Sequence, residues 1–178
     1  MSLLETLAGD TCAGTPRRDG IMDPSFEALV TPHLELEPIT EETARAIVAG
    51  DLSALRPAEG WPHDDTVDGL SMALRSGHPA GWLVTLEGRV IGDCGVHGWT
   101  DETGGVEIGY GIAAPYRERG YGTEIVTAMI DWLRTRPEVR IIRARTAEGN
   151  IPSRRVLEKA GFELVGVVDD EVLYRRPC

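Results

Sequence analysis

The spacing of apolar positions changes character several times between residues 29 and 176. In LVTPHLELEPIT, Leu34, Leu36 and Pro38 alternate with His33, Glu35 and Glu37, a period of two that predicts a strand with one wet face. TEETARAIVAGD follows with a helix start at Thr40, Glu41 and Glu42 in the first turn, where the dipole favours acid, and Gly50 at the end. LRPAEGWPHDD, rich in Pro, Gly and acid, reads as a loop, and TVDGLSMALRSG as a second helix. Three strand-like runs come next, GWLVTLEG, RVIGDCGVHGW and GGVEIGYGIA, with a hairpin turn at Glu87 to Arg89. Beyond them the order is a helix over Glu124 to Arg134, a strand in VRIIRARTA, a helix in IPSRRVLEKA, and strands in FELVGVV and EVLYRR. An antiparallel meander followed by a β-α-β unit predicts one α/β domain whose mixed sheet carries helices on both faces. The opening residues, through GDTCAGTPRRDGIMDPS, show no sustained period. Residues 1–27 are therefore expected to be a loosely ordered leader, and 28–178 the single domain.

Composition narrows the function. The 178 residues suffice for one sizeable core, and 42% hydrophobic with 26% charged residues is the make-up of a soluble globular protein. A net charge of -11 argues against general affinity for nucleic acid or anionic membrane. The charge is uneven: residues 1–100 hold 16 acidic and 6 basic side chains, residues 101–178 hold 13 and 12. An anionic ligand suits the second half, a cationic one the first. Cys12, Cys94 and Cys178 are too few and scattered for a disulfide framework, and no spacing suggests a metal site. The start MSLLETLAGD lacks the basic and continuous apolar regions of a signal peptide, and no run approaches a membrane span, so a cytoplasmic setting is expected.

RERGYGTE, Arg117 to Glu124, is the segment with the clearest chemistry. A glycine-rich turn entering a helix presents N–H groups that lack carbonyl partners, at the positive end of the macrodipole. Arg117 and Arg119 add charge suited to phosphate oxygens, so the expected guest is a pyrophosphate. Neither a P-loop nor a dinucleotide-fold glycine pattern is present, and a G-x-G before a helix is explained equally well by a plain turn.

Arg117-x-x-Gly120-x-Gly122 matches the R/Q-x-x-G-x-G/A motif of the GNAT (GCN5-related N-acetyltransferase) family, and NIPSRRVLEKAGF, Asn150 to Phe162, resembles that family's N-x-x-S-x-x-V-x-E-K-x-G-F segment. With one strand between them, the two blocks together are far more specific than either alone. The wording resembles most the branch that acetylates ribosomal-protein N-termini and its small-amine relatives. The resemblance implies a mostly antiparallel sheet of six to seven strands flanked by helices on both faces, and acetyl-CoA as cosubstrate with no metal. It places the pyrophosphate on the backbone of Gly120, Tyr121, Gly122 and Thr123, the pantetheine arm beside Ile112 and Ala114 at a splay between two strands, and Asn150 near the pantetheine or acetyl end. Arg154, Arg155 or Lys159 would meet the adenosine phosphate on grounds of charge. Pairing of two copies through the last strands, a homodimer, is a further expectation carried by the resemblance.

Acetyl transfer needs a neutral amine, a stabilised oxyanion and a proton for the departing thiolate. Glu107 is the candidate base. In VEIGYGI it shares a strand face with Gly109 and Gly111, opposite Val106, Ile108, Tyr110 and Ile112, a face left empty of bulk. The bland reading, a wet residue at a strand start, weighs equally. Where many GNAT members have a tyrosine in the last helix this chain has Leu157, which leaves Ser153, one turn earlier, as candidate acid, with helix capping or packing its competing role and Tyr121 and Tyr174 weaker alternatives. Trp61, Asp64 and Trp99 are candidate acceptor contacts, through cation–π and charge attraction to an ammonium, with support of the following helix N-terminus the competing role of Asp64. The acceptor that the resemblance implies is a primary amine, on a protein N-terminus or on a small molecule such as a polyamine or aminoglycoside. Another acyl-CoA donor, or a non-catalytic acyl-CoA-binding module, are the alternatives.

Overall fold

Each of the seven strand runs of the sequence forms a strand, and a short extra one precedes them. The computed structural model describes residues 25–77 and 81–178. Its strands are β1 (Leu29–Val30), β2 (Glu35–Pro38), β3 (Trp82–Leu86), β4 (Arg89–His97), β5 (Gly105–Ile112), β6 (Ile141–Ala147), β7 (Glu163–Val168) and β8 (Glu171–Pro177). They make one sheet in the order β1-β2-β3-β4-β5-β6-β8-β7, antiparallel throughout except between β5 and β6. The sheet thus has eight strands where six to seven were expected. The extra one arises because Leu29–Val30 doubles back on Glu35–Leu36, closed by Thr31, whose N–H donates to the Leu34 carbonyl at 2.9 Å.

The helices follow the sequence signals closely. In α1 (Glu41–Val48) the Thr40 hydroxyl accepts from the Thr43 N–H at 3.1 Å, the side-chain cap its position foretells. α2 (Asp64–Ser76) ends on left-handed Gly77. α3 (Tyr121–Arg134) begins three residues earlier than its apolar period suggests, and α4 (Ile151–Lys159) starts on a cap from Asn150. The β3–β4 hairpin turns on Glu87 and Gly88, both at positive φ, the pair of left-handed residues that a two-residue turn matched to strand twist requires.

The core divides along β5. On one side Val106 and Ile108 pack under α3, which buries Ile125, Val126, Met129, Ile130 and Leu133. An aromatic cluster extends this layer: Trp82 meets Trp132 edge-on at 4.9 Å, and Phe26 stacks on Trp132 at 5.0 Å. Such pairs contribute roughly 0.5–1.5 kcal/mol beyond area burial. Phe26 and Glu27, assigned to the loose leader by their sequence, are therefore docked, with the Glu27 carbonyl accepting from the Trp82 indole at 2.7 Å. The rest of the expected leader, residues 1–24, lies outside the described residues. At the far edge, β7 exposes Leu164, Val165, Val167 and Val168, the surface on which the expected pairing of two copies would have to form. No helix among the described residues is long and apolar enough to cross a membrane.

Candidate active site

The parallel pair β5 and β6 is in register only from Gly105↔Ile141 to Ile108↔Ala144. Beyond Ile108 β5 stays with β4 as far as Gly92↔Ile112, while β6 stays with β8. The two strands splay, and the second half of β5 has a free edge. Ala113 donates to the Ile91 carbonyl, so residues of odd number direct their peptide groups toward β4. By alternation, Tyr110 and Ile112 direct theirs into the gap. The Ile112 carbonyl is already met there by Arg117 Nε at 2.8 Å. Arg117, read from sequence as a phosphate ligand, thus uses one guanidinium nitrogen to hold the strand end.

The gap leads to the start of α3. Gly120 is its N-cap in a left-handed conformation, φ 89°, and no side chain caps the helix, so the amides of Tyr121, Gly122 and Thr123 have no intrahelical acceptor. The two glycines of RERGYGTE serve different ends. Nothing lies within 4 Å of a side chain built on Gly120, whereas one on Gly122 would meet Val156 Cγ2 at 3.2 Å and Tyr110 Cε2 at 3.6 Å. Gly120 supplies a backbone conformation; Gly122 lets α3 approach α4 and β5. Arg119 lies over the Tyr116 ring at 5.6 Å and, among the described residues, no carboxylate pairs with it or with Arg117.

Beside this turn a groove of about 780 Å³ runs between the outer side of α3 and residues 27–33. Its carboxylates decide what it cannot favour. Glu124 takes hydrogen bonds from the Thr31 hydroxyl and from the His33 N–H at 2.8 Å, with the His33 ring at 3.0 Å. Burial opposes its ionisation, but these donors outweigh burial and hold its carboxyl below the usual range. Glu124 therefore disfavours an anion in this part of the groove.

On the α3–α4 side of the gap the Tyr110 hydroxyl meets Ser153 Oγ at 3.0 Å, and burial pushes the Tyr110 phenol up while that bond partly offsets it. Asn150 accepts from the Ser153 N–H at 3.2 Å, which spends its Oδ1 on the cap of α4. Leu157 is in the core, and Tyr174, also buried, donates to Glu158 at 3.0 Å.

The opposite side carries Glu107, Gly109 and Gly111, and across from them on β4 His97, Gly95 and Asp93. Arg145 of β6 donates to Glu107 Oε1 at 3.0 Å, and no donor among the described residues meets Oε2. Two imidazoles lean over the glycines: His97 Nε2 lies 2.6 Å from where a Cβ on Gly109 would be, and His63 Nδ1 lies 3.2 Å from that point on Gly111. Asp93 Oδ1 accepts from the Trp61 indole at 2.7 Å and from the Thr66 hydroxyl at 2.6 Å, and burial pushes its carboxyl up despite these bonds. Trp61 is buried against this carboxylate rather than open to a ligand, and Asp64 stands exposed at the first position of α2. Trp99 is not brought to the site; it packs edge-on against Trp132 at 5.9 Å. Cys94, its thiol pushed well up by burial and then by Asp93, is a packing residue. Asp93 and Tyr110 stand at this face and gap without being sequence candidates, though one acid inside the apolar run RVIGDCGVHGW is a signal that points to Asp93.

The free strand edge runs to an uncapped helix start, and the family model described as an acetyltransferase (GNAT) domain matches residues 33–163. The chain belongs to the GNAT family. Uncharacterized N-acetyltransferase YjdG of Bacillus subtilis (strain 168) is 29% identical over 113 residues, 58% of this chain and 67% of YjdG. Among solved GNAT-like structures, Mycobacterium smegmatis RimJ in complex with CoA-disulfide superposes with TM-score 0.59 at 24% identity, over 85% of this chain and 86% of that one. The aminoglycoside acetyltransferase AAC(6')-Ib in complex with coenzyme A gives TM-score 0.57 at 22% identity, over 81% and 94%. At these identities the two structures establish the GNAT fold.

Proposed function

We propose that this GNAT chain transfers acetyl from acetyl-CoA to a primary amine, on a small cationic molecule or a protein N-terminus, by direct attack. The observation that supports it most is the continuity of the free β5 edge with the uncapped first turn of α3. An extended amide chain adds to such an edge as a strand would, and a pyrophosphate suits the helix start. The amides of Tyr121, Gly122 and Thr123, with Arg119, hold the pyrophosphate. The peptide groups of Tyr110 and Ile112 take the pantetheine amides, and the Asn150 Nδ2 donors remain for its far end. Acetyl-CoA, when bound, supplies an acyl group on a good leaving thiol.

The chain's own residues then handle protons. Glu107 Oε2, with Oε1 fixed by Arg145, accepts the proton of the incoming ammonium, directly or through a water. On the other side of the gap the Ser153 hydroxyl, bonded to Tyr110, supplies a proton toward the leaving sulfur. Confinement in the gap contributes as much as these groups, because positioning alone lowers such barriers by several kcal/mol.

Thermal unfolding tests the assignment. Acetyl-CoA at about 100 times its dissociation constant adds roughly 2.7 kcal/mol, a rise in Tm of about 5–10 °C. Arg119→Glu, an exposed change, and Gly120→Glu, which adds strain at φ 89°, are expected to reduce that rise. An unchanged Tm of the unaltered protein at millimolar acetyl-CoA would overturn the proposal.

A further inference from the structure

Resting on the acetyl-transfer reading, we propose that Asp93 anchors a second positive charge on the acceptor, and that this GNAT chain is built for short aliphatic diamines. The bare strip of β5 has a carboxylate at each end, Glu107 near the apex of the splay and Asp93 across from Gly111. Glu107 and Gly111 are four strand residues apart, about 13 Å, too far for both carboxylates to meet one ammonium. An amine reacting over Gly109 stands two residues from Gly111, roughly 7 Å, the span of a four- or five-carbon chain.

The carboxylates of this face differ in their partners. Glu107 is paired with Arg145 at 3.0 Å, and Asp101 with Arg143. Among the described residues, no arginine or lysine pairs with Asp93. Its Oδ1 is fixed by Trp61 and Thr66, and no donor among the described residues meets Oδ2. A recessed carboxylate that no arginine or lysine neutralises is costly, and an arriving ammonium offsets that cost. His63 now leans on Gly111, yet its Nε2 is buried with no hydrogen-bond partner among the described residues, so turning off the strip forfeits no bond to them there. Asp64 and Asp65 at the start of α2 add negative charge to the approach.

The four tryptophans of the chain give a direct readout, because the Trp61 indole N–H bonds Asp93 itself. In CoA-loaded protein, 1,4-diaminobutane should shift the Trp61 indole NMR signal at a concentration at least tenfold lower than n-butylamine does. In Asp93→Asn, which keeps an acceptor for Trp61 and Thr66, that preference should fall to within about twofold; in Glu107→Gln the Trp61 shift should persist. A Trp61 signal that never moves, equal titration by the two amines, or a preference that survives Asp93→Asn overturns the proposal. Should Asp93→Asn fail to fold, the diamine-to-monoamine ratio on the unaltered protein decides alone. Failure of the transferase reading appears separately, as absence of the acetyl-CoA shift in Tm.

Discussion

The two faces of β5 use the same strand for opposite purposes. Toward α3 and α4 its residues are Val106, Ile108, Tyr110 and Ile112, closed over by side chains until even Gly122 of α3 has no room for a methyl group without contact. Toward α2 its residues are Glu107, Gly109 and Gly111, and what lies above the glycines is two imidazoles and a carboxylate rather than hydrocarbon. The first face stabilises; the second gives up apolar burial to leave a surface where an amine can lie. A substitution on the first face should therefore register in stability, and one on the second in acceptor use.

The largest effect is expected where the packed face is tightest. Gly122→Leu must displace Val156, Tyr110 or Ile112, and overpacking of this kind costs about 1–3 kcal/mol. Denaturant unfolding should show that loss with little change in m-value. Because Tyr110 and Ile112 also present the free strand edge, acetyl-CoA should raise Tm less in the variant. A Gly122→Leu protein as stable as its parent would mean that the α3–β5 contact is looser than its geometry states.

Asp93→Asn sharpens the comparison in the other direction. A structural carboxylate stabilises, so its loss should lower Tm; a carboxylate kept for a ligand destabilises the free protein. Burial raises the Asp93 pKa above its ordinary value of 3.8, against the bonds from Thr66 and Trp61 and the nearby His63, with Asp65 adding to the rise. Between that ordinary value and the raised one the folded protein binds more protons than the unfolded chain, so stability falls as pH rises through this window. The asparagine variant lacks that decline. At pH 7 it should unfold at a higher temperature than its parent, and the difference should vanish once pH falls below the ordinary carboxylate value. A lower Tm for Asp93→Asn at pH 7 would assign Asp93 to structure.

Sequence and structure agree best where one periodicity decides the answer. The strands and helices were legible because period two and period 3.6 are local, and so was the emptiness of the Glu107 face, which is strand parity alone. Trp99 was misplaced for a related reason. Gly98, at φ 73°, turns the chain just after β4, and parity cannot be counted through a left-handed residue. The pairing of Arg145 with Glu107 depends on the register of a parallel pair whose strands lie far apart in sequence, which no local pattern encodes. The packing role of Gly122 against Val156 and Tyr110 was not legible, because the same glycine spacing beside Gly120 serves both a backbone conformation and a close approach.

The smallest expected effect on stability is also the sharpest test of the bare face. The nearest atoms to a methyl group on Gly109 belong to the His97 ring, at 2.6 Å, and His97 is exposed and able to swing outward. Gly109→Ala should therefore unfold within about 0.5 kcal/mol of the parent, in contrast to Gly122→Leu. The acetyl-CoA shift in Tm should be retained, because Tyr110 and Ile112 turn their peptide groups the other way. What should change is the acceptor: with the strip no longer bare, KM for an amine that lies along it should rise several-fold while kcat falls less, the pattern of lost ground-state binding. Equal KM values for Gly109→Ala and its parent would show that the acceptor approaches without touching β5, and the contrast between the two faces would then be one of packing alone.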